Sequence, residues 1–220
     1  MMMKSKTRLL LVLLGLVALR CIALILGHAG AGNTPSALVT CLLFCALYLA
    51  LSPKTEEKKP PFKDLKKGAL LLLFFLSASI FFSSLSSLIF PVQDVKISLF
   101  RVIVAVALVP LSEELFFRET LFKTLDTLCT PLFSILLSSV IFAICHASPP
   151  AMITAFFTGA LLSVIYKKTD SLILCALCHT VNNLIAATVH FPKTLTLPLI
   201  LLSFVLCVFF VKKGFLKIDG

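Results

Sequence analysis

Charge is what this sequence has least of. Charged residues fill 14% of its 220 positions and hydrophobic residues 59%, where an ordinary soluble domain is about 45–50% apolar. That balance excludes a typical water-soluble globule and predicts a multi-span membrane protein. Alternation of apolar and polar positions is missing too, because the apolar runs are continuous. Only helices and closed barrels satisfy their backbone hydrogen bonds in lipid, and a barrel strand alternates, so the expected fold is all-α, a polytopic membrane helical bundle. There is no internal repeat and no low-complexity tract. Polar stretches hold no cysteine: Cys21, Cys41, Cys45, Cys129, Cys145, Cys175, Cys178 and Cys207 all lie within or at the edge of apolar runs. This argues against an extracellular disulfide framework and for small buried hydrophobes. Cys175-Ala-Leu-Cys178-His179 matches the haem-attachment pattern, but it sits mid-span with no soluble domain around it.

The apolar runs cover residues 9–26, 36–52, 68–90, 97 to about 115, 131–146, 151–166, 171–189 and 195–211. They make about eight spans, several near the short end of what crosses a bilayer. The formal charge of +10 does not imply nucleic acid, because the basic residues stand at the ends of apolar runs. Every second connection is basic: Lys4, Lys6 and Arg8; Lys54 to Lys67; Arg118 and Lys123; Lys167 and Lys168; and Lys212, Lys213 and Lys217. The connections between carry no more than Lys96 or Lys193. Positive residues mark the cytoplasmic side, so both termini are expected there, in a multi-pass protein of the cell membrane. The N-terminus resembles a signal peptide, with Ala29-Gly-Ala31 as a cleavage site, but the run 9–26 is longer than the usual apolar segment of one. An uncleaved first span is expected. The Lys- and Pro-rich linker that ends at Lys67 divides an N-terminal pair of spans, 1–67, from a membrane-embedded domain, 68–220.

Three polar islands interrupt this apolar background. The first is SEELFFRETL at 112–121, with Glu113, Glu114 and Arg118. Ionisable residues at bilayer depth are costly and by default functional. Residues four apart share a helix face, so Glu114 and Arg118 form a natural ion pair, while Glu113 points elsewhere. A carboxylate in a low-dielectric cavity beside a second one acquires the raised pKa that a general base needs, which assigns Glu113 as base and Glu114 as its paired neighbour. Pro110 either kinks the span or lets Ser112 cap a new helix. The bland alternative makes Glu113, Glu114, Arg118, Glu119 and Lys123 the charged end of a span. The second island is His146, four residues after Phe142. A hairpin turning at 129–131 would set His146 roughly level with Glu113, at a rise of about 1.5 Å per residue on each helix. The third is His179 with Asn182 and Asn183. Its donors suit a developing oxyanion, or serve as interhelical glue. His28 and His190 fall near span ends and are expected to be interfacial.

Glu113-Glu114-xxx-Arg118, Phe142-xxx-His146 and His179-xxx-Asn183, in this order, resemble the CPBP family of intramembrane proteases. That family includes the type II CAAX prenyl endopeptidases and bacterial lysostaphin-resistance and bacteriocin-processing or immunity proteins. The resemblance covers 97–189. It departs after Arg118, where relatives commonly carry Gly and this chain has Glu119. It implies an intramembrane endopeptidase in which Glu113 and His146 activate a water, His179 and Asn183 hold the oxyanion, and Glu114 and Arg118 support the base. The substrate would be a peptide or protein, lipid-modified or not, met among membrane lipids. A zinc ion on Glu113, His146 and His179 is an open alternative, although HExxH is absent. Two rival functions keep the same islands: a proton- or metal-coupled transporter, which lacks an obvious inverted repeat here, and an inactive immunity or binding protein of the same fold.

Overall fold

Long uninterrupted apolar runs with few helix breakers fold as helices, and that is what the computed structural model contains. It describes residues 4–28, 33–53, 64–90, 98–146, 148–188 and 193–212. Within them every regular element is helical: α1 (Ser5–His28), α2 (Asn33–Leu51), α3 (Leu65–Ile89), α4 (Leu99–Ile103), α5 (Val109–Glu114), α6 (Lys123–Asp126), α7 (Pro131–Ile144), α8 (Pro149–Thr169), α9 (Leu172–Thr188) and α10 (Lys193–Lys212). Two π-helical segments, Val104–Leu108 and Leu115–Phe122, join α4 to α5 and α5 to α6. The expected Ala29-Gly-Ala31 site, most of the basic linker before Lys67, Lys96, His190, the side chains of His28 and Lys193, and the C-terminal Lys213 and Lys217 lie outside the described residues.

Among the described residues two helices, α3 and α8, are long and apolar enough to cross a membrane. The other apolar stretches, Pro35–Leu51, Pro131–Ile144, Leu172–Ala187 and Leu195–Phe210, are shorter. At about 1.5 Å per residue they fall below the ~30 Å of a hydrocarbon core.

The helices group into two compact units, 1–59 with 97–138 and 60–96 with 139–220. In the first, α2 is the hub, packing on α1, α5 and both π segments. Its Phe44 touches Phe116 and Phe117 with ring centroids at 5.1 and 5.4 Å. The segment from Leu99 to Asp126 is one helical path, because Ile103, Leu108, Glu114 and Phe122 at its joints keep right-handed helical dihedrals. The winding widens where the Val109 N–H reaches back five residues to the Val104 carbonyl, and again where Lys123 N–H reaches Arg118. Pro110 follows the first widening. Having no N–H, it cannot continue the ordinary ladder.

In the second unit α3 is the hub, packing on α8, α9 and α10. Phe82 and Phe157 stack at 3.7 Å between α3 and α8, and Phe74 meets Phe210 of α10 edge-on at 5.7 Å. The start of α8 is set by Ser148, whose hydroxyl accepts from Ala151 N–H, with Pro149 in the first turn. Its end is set by Asp170 at φ 49°, after Lys167 and Lys168 in the last turn, where basic side chains favour the dipole. Ser171 then accepts from Leu174 N–H at 3.2 Å and opens α9. This tight corner lays α9 back along α8, and the Cys175 thiol donates to the Leu162 carbonyl at 3.6 Å. Cys175 and Cys178 are wholly buried, and none of the eight cysteines forms a disulfide. The haem-attachment pattern is therefore helix packing.

Candidate active site

The first unit carries the acids. Arg118 Nε donates to Glu114 Oε2 at 2.8 Å, and neither side chain is exposed to solvent. The expected ion pair is present, and it is interior, not the charged end of a span. The partly exposed charges are Glu119 and Lys123, paired at 2.7 Å one turn further on. Glu119, the departure from the family pattern, thus occupies the open side of the π segment, where a charged residue is solvated. Glu113 is half-buried, with Oε2 shut off from solvent.

Ser112 does not cap a new helix. Its hydroxyl donates back to the Val109 carbonyl at 3.0 Å, and the helical path continues through it. Cys41 of α2 hydrogen-bonds the Ser112 side chain and lies in electrostatic reach of Glu113. Cys41 is a neighbour of the acid that sequence reasoning missed. No local spacing links position 41 to position 112.

The second unit carries the imidazoles. His146 lies just beyond α7, where the ladder tightens: Cys145 N–H and His146 N–H reach back three residues, to the Phe142 and Ala143 carbonyls at 3.3 and 2.9 Å. His146 Nδ1 stands 2.9 Å from the Phe142 carbonyl oxygen. A carbonyl can only accept, so Nδ1 bears the proton and, in the neutral ring, Nε2 bears the lone pair. The Phe142 ring also packs against His146 at 4.9 Å and against His179 of α9 at 5.8 Å, both edge-to-face. His179 is buried, and Asn183 is half-buried one turn along. Asn182 Nδ2 donates to Asn183 Oδ1 at 3.4 Å, which turns the Asn183 Nδ2 donor the other way. Phe142 was legible as one end of a spacing; that one ring touches both histidines was not.

Among the described residues, no three His, Cys, Asp or Glu groups gather as an ion would require. The expected zinc set of Glu113, His146 and His179 is not such a group, and the metalloprotease expectation gains no support.

Residues 95–185 match the family type II CAAX prenyl endopeptidase Rce1-like. The Rce1-like stretch nearly coincides with the 97–189 on which the motif resemblance rests, and all of Glu113, Glu114, Arg118, His146, His179 and Asn183 fall inside it. It spans less than half of the chain, and α1, α2, α3 and α10 lie outside it. The Rce1-like family is a membrane-embedded family of proteases, in keeping with two membrane-length apolar helices here. No curated protein and no solved structure matches the chain.

Proposed function

We propose that this chain is an intramembrane endopeptidase that hydrolyses a peptide bond with protein groups alone. The observation that carries the proposal is that every polar island lies within the Rce1-like stretch. Glu113 takes a proton from a water whose oxygen adds to the scissile carbonyl carbon, while the water's other O–H donates a hydrogen bond to His146 Nε2. The oxyanion receives hydrogen bonds from His179 and Asn183. The proton passes from Glu113 to the leaving nitrogen, the C–N bond breaks, and the new carboxylic acid gives its remaining proton to the amine, so that a carboxylate and an ammonium group depart. Glu114 and Arg118 hold the acid's helix in register. The substrate is a peptide or protein segment in or near the bilayer, and a prenylated cysteine peptide is the first class to try. The protein is multi-pass with about eight spans, and both termini face the cytoplasm, by the alternation of basic connections.

Glu113→Gln and His146→Ala are expected to insert and fold like the parent and to lose cleavage by about 10²–10⁴-fold, the usual share of general acid–base catalysis. Peptide release from membranes is the measurement. Full proteolysis by either variant would overturn the roles assigned, and a phenotype indifferent to both would mark an inactive binding protein.

A further inference from the structure

One aromatic ring connects the two histidines. Phe142 is 1% exposed. Its carbonyl holds His146 Nδ1 at 2.9 Å, and its ring faces both His146 and His179, at 4.9 and 5.8 Å. The ring has a seat of its own. A Cβ placed on Gly159 of α8 would stand 3.0 Å from Phe142 Cδ1, 3.6 Å from its Cβ and 3.4 Å from the Ser139 Cα. A side chain at Gly159 would press on the Phe142 ring, the nearest atom to the added Cβ, so the bare glycine leaves the ring its place against both imidazoles. Edge-to-face contacts between rings are directional, so a fixed phenyl ring fixes the planes of its neighbours.

We infer that Phe142, seated on Gly159, is a positioning residue that sets the orientation of His146 and His179 together. The inference rests on the proposed peptidase activity for its consequence, and on the ring geometry alone for its existence. The backbone contact to Nδ1 chooses the tautomer of His146, and the ring chooses where its Nε2 points. For His179 the same ring, 5.8 Å away, is the shared reference. Replacing Phe142 by Leu keeps an apolar side chain of similar depth but removes the flat wall, so both imidazoles gain rotational freedom. Reacting groups displaced by about 1 Å can lose on the order of 10²-fold in rate. Gly159→Ala pushes the same ring from the other side and acts through it.

The test uses the full chain in detergent micelles with isotope-labelled histidine, and membranes of cells expressing the same variants. Phe142→Leu is expected to move or broaden the ring signals of both His146 and His179, assigned through His146→Gln and His179→Gln. Phe82→Leu, which breaks the Phe82–Phe157 stack instead, is expected to leave both in place. Peptide release should fall about tenfold to a hundredfold in Phe142→Leu. Gly159→Ala should also reduce it, but should cost nothing further in the Phe142→Leu background, because residues acting through one group are not additive. If only one histidine signal moves, or neither, the shared-ring inference is overturned whatever the activity. If both move and peptide release is unchanged, the positioning role is overturned. If His146→Ala cleaves like the parent, the peptidase proposal fails, and the histidine signals still decide whether one ring orients both.

Discussion

Arg118 is among the largest side chains in the protein with no exposure at all, and its guanidinium meets a Glu114 carboxylate that is equally buried. Taking two charges out of water is costly, and their attraction returns that cost only when geometry and hydrogen bonding are good. Removing one partner should therefore hurt more than removing both. Arg118→Met is expected to destabilise the fold by about 3–5 kcal/mol, and the double variant Glu114→Leu with Arg118→Met to recover much of that loss. Thermal unfolding in detergent measures both; a double variant as unstable as the single would contradict the account. The pair itself was legible, since four residues separate its members on a helix. That it would be interior, with Glu119 and Lys123 taking the solvated side, was not, because burial depends on packing partners far away in the chain. Cys41 is the clearer case: its contact with Ser112 needs two helices joined only by tertiary packing.

At the scale of elements, the notable feature is the widened winding on either side of the acidic pair. Wide turns of this kind are rare and concentrate at functional sites. Pro110 announced an interruption of the ladder, and the choice left open was a kink or a fresh cap at Ser112. No fresh cap forms at Ser112: a π segment precedes the proline and the helical path runs on through it. Nothing in the apolar pattern signals five-residue hydrogen bonds, since Val, Ala and Phe suit either winding. The second widened segment, Leu115–Phe122, carries Phe116 and Phe117, both buried and both against Phe44 of α2. Although α2 lies outside the family match, this contact makes it part of the acid's support. Phe44→Ala is expected to cost about 3–5 kcal/mol, as for other fully buried aromatics. A melting temperature equal to the parent's would show that α2 is dispensable to the acidic helix.

At the scale of the whole molecule, composition argued against a soluble globule and the continuous apolar runs against a barrel, and the described residues are all-helical. The count of spans was harder to read. Several apolar runs fold into helices shorter than a bilayer core, and hydropathy cannot tell a short crossing from a packed helix. The order of the polar islands was legible, because each consists of a fixed spacing on one helix face. Whether they serve one site is a matter of helix packing, and spacing along the chain says little about that. The proposed enzyme needs the acid of one compact unit and the imidazoles and amide of the other to serve the same water. The most direct measurement is a mass-spectrometric comparison of peptides released in membranes carrying the parent chain, Glu113→Ala or His146→Ala at equal expression. The account predicts products present with the parent and missing from both variants; the same products from all three would contradict it.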